Sequence, residues 1–574
     1  MDMTVQGPEK SYKAGIKKVL LIVPPNITFQ DFRNPRSNTK SWIHENGEEL
    51  GVVITDVPLG ALTLSALFKQ KWSCEVRLLD FNVLLNSRWN HPQDDSFSEW
   101  FRQELVALDF SPDLVGFSSL FVTGYLNLLE LGEICRELFP RALLLAGGNV
   151  ATTMSREIFT DDGGAFDGLC HGEGEAPLQQ LVNAKDPKAY MFRSPSWLTR
   201  EKIDRAEFSP THDFIENLDE IPFLDYDVIK LSDYHHSPTI KAYTQIADKE
   251  HYVTYMTSRG CPFLCTFCAA HTVHGRKMRY FSLERIRVEL EKLVSEFGAR
   301  TVVLEDDHFL SDRARALSIL EIMRDLGVVC VFPNALALYA LDREMLESLM
   351  ATGVRQLTLA VESGSKRVLK KLMKKPLRTD ITTRVANDCW ELGIYTDCNI
   401  IIGMPGETPE DIDEAREFLK TLRVNWYRIN VATPLAGSEM YIAAKEKGQI
   451  SGDIREAGYK RCVVQTEYFD PESINQTAYE LNLYLNFVHN QDMKEGRFER
   501  AAESFQNVLK LKHDHAYAKK FLGDCLVEMG KKDEGKMMEA DGIELMRSQS
   551  SWRKLAGQHQ LPGLSDEVAK SVKW

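Results

Sequence analysis

From Lys17 to about Leu178 the chain alternates short, almost wholly apolar runs with longer stretches of helical periodicity. Val19 to Val23, Glu75 to Leu79, Asp113 to Ser118, Ala142 to Ala146 and Phe166 to Cys170 read as strands, and near-continuous apolar runs are what strands buried on both faces require. Helix-sized segments fill the gaps, so residues 17–185 predict a doubly wound α/β domain with a parallel sheet. Ligands of such sheets sit in the crevice beyond the strands' carboxyl ends. The turns expected there are small and polar: Pro24-Pro25-Asn26, Ser118-Ser119, Gly147-Gly148-Asn149 and Gly172-Glu173-Gly174-Glu175.

The five strands suit a flavodoxin-like order. Residues 186–250 lose the alternation and carry turn signals such as Asn217-Leu-Asp-Glu-Ile-Pro222, which predicts a connector packing across two domains. From His251 six strand candidates follow: Tyr252 to Thr257, Thr301 to Glu305, Val329 to Pro333, Gln356 to Val361, Tyr395 to Ile402 and Tyr427 to Val431. Repeated right-handed βα units of this length curl into a barrel, and six predict a partial (βα)6 barrel over 251–445. Helical periodicity then continues through an extension at 446–490 and a further segment at 491–546, and the tail 547–574 has no pattern. In that segment Gly496-Arg-Phe-Glu-Arg-Ala-Ala-Glu-Ser-Phe and, one 34-residue period later, Gly530-Lys-Lys-Asp-Glu-Gly resemble the turn and second helix of a tetratricopeptide repeat (TPR), with Ala518, Leu522 and Gly523 in the next unit's first helix. A plain helical hairpin fits the same residues.

The 574 residues predict three or four domains, and a formal charge of -14 gives no global attraction for nucleic acid. Lys366, Arg367, Lys370, Lys371, Lys374, Lys375 and Arg378 form a local basic run that reads as a solvated helix face. Met1 to Lys18 contains no apolar targeting core, and no later run is apolar enough to span a bilayer, so the expected location is cytoplasmic. Eleven cysteines, most in apolar segments such as Val-Val-Cys330-Val-Phe, suit buried reduced thiols.

Candidate chemistry centres on Thr257-Ser-Arg-Gly-Cys261-Pro-Phe-Leu-Cys265-Thr-Phe-Cys268. Three thiolates at this spacing hold three corners of an iron-sulfur cube and leave one iron open to a ligand. Zinc is the alternative, with His271 and His274 as extra ligands. The Cys-x3-Cys-x2-Cys pattern with Phe267 before the last cysteine resembles the radical S-adenosylmethionine (SAM) enzymes. That resemblance implies a [4Fe-4S] cluster on Cys261, Cys265 and Cys268, SAM bound at the open iron, and reductive cleavage of SAM to methionine and a 5′-deoxyadenosyl radical. It also implies an electron donor of flavodoxin or ferredoxin type.

Three further segments follow in family order at strand ends. Leu304-Glu305-Asp306-Asp307 resembles the acidic turn near the SAM amine, and Ala360-Val-Glu362-Ser363 resembles the segment that meets the ribose. Ile401-Ile-Gly403-Met404-Pro-Gly406-Glu407 resembles the turn along the adenine, with Phe267 on the same base. Taken singly, an acidic strand end is also an N-cap and Gly-Met-Pro-Gly an ordinary turn.

Val57-Pro58-Leu59-Gly, Asp113 to Ser119, Leu145 to Asn149 and His171 to Glu175 together resemble the cobalamin-binding domain that precedes the barrel in one branch of these enzymes. The resemblance implies a cobalamin site lined by Pro58, Leu59, Ser118, Ser119, Gly147, Gly148, Asn149, Gly172, Glu173 and Gly174. The Asp-x-His-x-x-Gly motif that supplies a lower cobalt ligand elsewhere is absent: the chain reads Gln30-Asp31-Phe32-Arg33-Asn34. Water, another side chain or nothing is then left for that face. Methylthiotransferases are an alternative, with Cys74, Cys135 and Cys170 as a second cluster set, but these cysteines sit in apolar segments.

The expected activity is therefore a cobalamin-dependent radical SAM C-methyltransferase acting on an unactivated carbon of a small-molecule, lipid or peptide substrate. Oxidative cyclisation or rearrangement with the same cofactors is one alternative. A TPR-type scaffold that recruits a protein partner through its helices is the other.

Overall fold

The computed structural model describes residues 15–35, 41–43, 47–53, 55–87, 96–205, 208–234, 251–456 and 462–561. Its N-terminal sheet contains β1 (Lys18–Val23), β2 (Glu75–Asp80), β3 (Leu114–Ser118), β4 (Leu143–Gly147), β5 (Gly168–Cys170) and β6 (Trp197–Leu198), in the spatial order β2-β1-β3-β4-β5-β6. The first five are parallel and reproduce the flavodoxin-like order expected from the sequence; β6 is antiparallel to β5. Residues 19–23 of β1 are buried throughout, which accounts for their unbroken apolar run. The edge strand β6 falls in the span read as connector: two residues are too short to show a period, although Trp197 is 1% exposed.

Strand order reverses between β1 and β3, so the crevice of this domain lies beyond their carboxyl ends. Side-chain amides fix the turn there. Asn82 Nδ2 donates to the Pro24 carbonyl at 3.1 Å, and Asn127 Nδ2 donates to the Pro25 and Ile27 carbonyls at 2.9 and 2.8 Å.

The barrel strands are β7 (Tyr252–Tyr255), β8 (Thr301–Leu304), β9 (Val329–Val331), β10 (Gln356–Glu362), β11 (Tyr395–Ile402) and β12 (Trp426–Val431). All pair parallel to their sequence neighbours, in two three-stranded sheets joined by the bridge between Leu336 and Leu359. Among the described residues β7 and β12 do not pair, which leaves the partial six-stranded barrel that the repeat number predicted.

The connector is tied to both bodies. The Arg285 guanidinium donates to the backbone carbonyls of Leu218, Asp219, Ile221 and Pro222, and the Tyr226 hydroxyl donates to the Thr254 carbonyl at 2.7 Å. On the other side the Tyr234 hydroxyl donates to Asp80 at the end of β2, at 3.0 Å. Val57 and Leu62 join the apolar cluster formed by the barrel strands and helices, so the two domains share a core.

After β12 the chain is mostly helical and covers the barrel's last strand. Asn486 accepts from the Tyr427 amide at 2.7 Å and donates to the Tyr427 carbonyl at 2.9 Å, pairing an otherwise open edge. Asn425 donates to Asp492, and Tyr395 and Ser504 share a hydroxyl contact at 3.0 Å. Helices Phe498–Leu511, Ala516–Glu528 and Lys532–Ser548 then stack as an antiparallel set. The last two approach so closely that a Cβ on Gly523 would lie 2.6 Å from both the Glu539 nitrogen and the Gly535 oxygen. No helix among the described residues is long and apolar enough to cross a membrane.

Backbone contact at Gly523 leaves no side chain to yield. Gly523→Val should therefore loosen this helix pair by about 1–3 kcal/mol. Amide hydrogen exchange in the two helices Ala516–Glu528 and Lys532–Ser548 should rise accordingly, with exchange in β10 and β11 unchanged.

Candidate active site

The cysteine loop leaves the barrel immediately after β7. Ser258–Arg259 pairs antiparallel with Arg279–Tyr280, so residues 260–278 form a loop pinched at its base. Gly260 starts it at φ +97°, where any side chain would run into the Lys277 carbonyl. Inside the loop, Thr266 donates from its amide to the Met373 carbonyl at 3.0 Å and from its hydroxyl to the Leu372 carbonyl at 2.7 Å. The Met440 amide returns a bond to the Thr266 carbonyl at 2.8 Å. The segment between Cys265 and Cys268 is thus fastened to two other parts of the barrel mouth.

All eleven cysteines are free, and eight are buried; Cys261, Cys265 and Cys268 are the three that are partly open. Burial pushes all three thiols upward, Cys268 to about 11, while the Lys375 ammonium opposes the rise at Cys261 and Cys265. Among the described residues no three His, Cys, Asp or Glu side chains converge on a single-ion site. Three thiolates spread around a cube need no such convergence. His274, a fourth ligand in the zinc alternative, has its Nδ1 2.8 Å from Glu173. The donor set fits a sulfur-ligated cluster.

The expected SAM-site residues divide into two kinds. Asp306 is consumed by the fold: its carboxylate accepts the Thr257 amide at 2.7 Å, the Thr257 hydroxyl at 2.6 Å and the Ser258 hydroxyl at 2.5 Å. It fixes the exit of β7. Burial, then the charges of Asp56, Asp306 and Asp307, push its neighbour Glu305 up to about 7, against one hydrogen bond from Asn334. Asp307, the last residue of the motif, is the acid of this turn that acts electrostatically on Cys261 and Cys268.

Glu362 lies at a register shift in β10 and has φ +64°, a left-handed conformation costly for a residue with a side chain. Its carboxylate pairs with Lys375 at 3.1 Å and reaches Cys265 electrostatically. Ser363 beside it is 1% exposed and accepts from the Ser365 amide. Phe267 packs against the apolar group that contains Met404, Met373 and Met440, which brings together the two residues expected along an adenine ring. The Gly403 and Met404 amides donate to buried Glu407 at 2.6 and 3.0 Å, shaping that turn from within.

Lys375 was hidden in a run that otherwise points outward. Lys366, Lys370, Lys371 and Lys374 are exposed, whereas the Lys375 side chain is 18% exposed and its ammonium lies 6.0 Å from the Phe267 ring centre. Pro376 directly after it was the only local signal of a change in direction. An aromatic rim was also missed: Phe263 lies 5.0 Å from His308 and 5.9 Å from Tyr339, whose hydroxyl is 2.9 Å from His308 Nε2.

The carboxyl ends of the N-terminal sheet meet this mouth directly. The Ser119 amide donates to the Gly147 carbonyl at 3.1 Å, and Gly148 at φ +91° sits where a Cβ would come within 2.5 Å of the Ser119 oxygen. Ser118 and Gly147 pair at the strand ends, and Asn149 Oδ1 accepts from Thr272 at 3.3 Å. The Gly172 amide donates to the Thr152 hydroxyl at 3.0 Å, and Gly174 precedes the helix Glu175–Asn183. Pro58 caps the helix Leu59–Trp72, and Leu59 packs against the shared core. These turns bare small groups and backbone beside Leu120, which is 55% exposed, while Leu264 within the cysteine loop is 56% exposed. Glycine turns with bare backbone beside exposed apolar side chains fit a large flat macrocycle with amide arms. Glu173 is the exception, because its carboxylate is held by Arg259, Arg279 and His274 of the barrel. The alternative second cluster set is scattered: Cys74, Cys135 and Cys170 are buried, and Cys135 and Cys170 fall in different apolar cores.

Residues 255–419 match the radical SAM superfamily, and residues 55–182 match the B12 binding domain. The cytidylyl-2-hydroxyethylphosphonate methyltransferase of Streptomyces wedmorensis is 26% identical over 469 residues, covering 75% of this chain and 86% of its own. The radical SAM methyltransferase TsrM from Kitasatospora setae, solved with cobalamin and a [4Fe-4S] cluster bound, superposes with a TM-score of 0.53 at 18% identity, over 76% of each chain. The cobalamin-dependent SAM radical enzyme OxsB, solved with aqua-cobalamin and SAM bound, superposes with a TM-score of 0.58 at 14% identity, over 98% of this chain and 82% of its own. Neither domain match reaches the helices beyond Lys494, so their likeness to TPR units rests on the sequence pattern alone.

The turn from Gly403 to Glu407 carries a pH dependence. Burial raises the Glu407 carboxyl to about 7, against the two amide bonds it accepts. Because the folded value is the higher one, this group's contribution is full below about pH 4.5 and is lost as pH rises through about 7. Replacing it by an uncharged isostere, Glu407→Gln, should flatten the stability profile between those pH values by on the order of 3 kcal/mol. Denaturant titrations of both proteins across that range check it; identical profiles would refute the assignment.

Proposed function

We propose that this chain, which pairs a radical SAM domain with a B12-binding domain, is a cobalamin-dependent radical SAM methyltransferase acting on an unactivated carbon. The observation that carries the reading is the apposition of the cysteine loop and the carboxyl-end turns of the doubly wound sheet at one seam. When bound, the cluster and SAM supply a 5′-deoxyadenosyl radical for hydrogen abstraction, and cobalamin supplies a transferable methyl group.

The residues of the chain take these roles. Cys261, Cys265 and Cys268 hold the cluster, and Thr266 fixes their spacing through its three backbone-directed bonds. Phe267 and Met404 flank the adenine, Glu362 receives the ribose, and Ser363 supports the bulge that aims it. Glu305 and Asp307 present charge to the SAM amine, while Asp306 holds the end of β7 in place. Lys375 pairs with Glu362 at 3.1 Å and sets a positive charge beside the thiols. Pro58, Leu59, Ser118, Ser119, Gly147, Gly148, Asn149, Gly172 and Gly174 border the corrin. The rim of Phe263, His308 and Tyr339 offers a half-open aromatic surface to the substrate, which the sequence leaves as a small molecule, lipid or peptide. Reducing equivalents come from a donor of flavodoxin or ferredoxin type, in a reducing cytoplasm that suits eleven free thiols. The helical tail acts first as a cap on β12, and a partner-recruiting role has only its repeat-like sequence behind it.

Anaerobically prepared protein incubated with cobalamin, a reductant and SAM labelled in its methyl group should bind the corrin stoichiometrically. It should transfer label to cobalamin, and then to product once substrate is supplied. Protein that takes up no corrin would overturn every cobalamin-dependent reading, and protein that binds corrin and splits SAM while label never reaches cobalamin or product would overturn methyl transfer and leave cyclisation or rearrangement.

A further inference from the structure

We propose that Glu173 is a positioning residue through which the N-terminal domain sets the shape of the cysteine loop, so that the cluster ligands are organised only while the two domains are docked. The proposal rests on the reading that this loop holds an iron-sulfur cluster, and it assigns Glu173 to the loop instead of to cobalamin.

One carboxylate of the B12-binding domain gathers both ends of the loop. Glu173 lies in the turn after β5, yet each of its ion-pair partners belongs to the barrel. Arg279, in the closing strand of the hairpin, grips it with a two-point fork: Nη1 to Oε2 at 2.9 Å and Nη2 to Oε1 at 2.6 Å. Arg259, in the opening strand and two residues before Cys261, places Nη1 3.0 Å from Oε2. His274, on the short helix that follows Cys268, places Nδ1 2.8 Å from Oε1. Arg259 then extends the link by donating to Glu175 at 2.9 Å.

Burial makes this a geometric constraint and not a loose attraction. Side-chain exposure is 4% for Glu173, 6% for Glu175, 9% for Arg259 and 2% for Arg279, so water screens none of these charges. Without Glu173 the buried Arg279 would lose its carboxylate partner and Arg259 would keep only Glu175, which leaves uncompensated charge in a dry seam and favours opening of the hairpin. Close packing reinforces the charge contact. A Cβ on Gly172 would lie 2.5 Å from the His212 ring, and that ring's Nε2 contacts the Thr272 carbonyl inside the loop at 2.7 Å. The same turn that borders the cobalamin side of the seam therefore forms the outer wall of the cluster side. By linkage, a ligand that steadies the turn steadies the loop as well.

The test compares the full-length wild type with Glu173→Gln, which keeps the shape and removes the charge, by hydrogen–deuterium exchange in cofactor-free protein under reducing conditions. Exchange in peptides covering residues 257–280 should rise by about tenfold or more, with peptides from β1 to β4 and from the C-terminal helices unchanged. Glu173→Asp should restore part of the protection. Glu216→Gln, which removes the exposed pair with Lys277 on the same loop, should change nothing. If Glu173→Gln loosens the whole chain, Arg279→Lys carries the test, since it keeps the charge and loses the fork; a local rise there supports the proposal. Wild-type exchange across 257–280 in the intact variant overturns it. Iron content after reconstitution is read separately: a wild type that takes up no iron defeats the cluster reading, whereas iron uptake that is normal in wild type and at least threefold lower in Glu173→Gln supports the positioning role.

Discussion

Two domains end at one seam, and buried opposite charge together with a shared apolar core holds them there. A parallel sheet leaves its functional turns at the carboxyl ends of its strands, and each domain alone would expose those turns to water. Docking them face to face removes water from the space between. That is what reactive-intermediate chemistry needs, because dry walls protect whatever forms inside. The same dryness makes unpaired charge costly, so the seam is closed by carboxylates and guanidiniums in ion pairs, and apolar side chains from Val57 and Leu62 join the barrel's own core.

Within the mouth, the residues that shape it and those left to meet ligands are separable by their bonding. Asp306, Glu407 and Thr266 direct hydrogen bonds into the surrounding fold, which fixes the exit of β7, the turn from Gly403 to Glu407 and the cysteine loop. Glu362 is different: it keeps a strained φ and a single ammonium partner, a combination that a purely structural carboxylate would not need. Asp307 and Glu362 on the acidic side and Lys375 and Arg276 on the basic side lie within electrostatic reach of the thiols.

Much of this was legible in the chain. The five apolar runs of the first domain and the six of the barrel fell within a few residues of the strands because fully buried parallel strands leave no doubt about their faces. Short elements were not legible: β6 is two residues, and the pinch of Ser258–Arg259 on Arg279–Tyr280 depends on a pairing across the whole cysteine loop. The motif comparison gave Cys261, Cys265, Cys268, Phe267, Glu362 and Met404 places that the structure brings together. It did not show that Asp306 and Glu173 have partners within the protein, since sequence shows that a carboxylate is present but not how many of its lone pairs the fold engages. Lys375 was lost for the converse reason, as one inward lysine within a run of outward ones looks like its neighbours.

The most direct test of the central claim is the metal content of anaerobically reconstituted protein, compared with a variant in which Cys261, Cys265 and Cys268 are all alanine. The account predicts about four iron and four sulfide per wild-type chain and their loss from the variant. Zinc in the wild type, or an unchanged iron content in the variant, would contradict it.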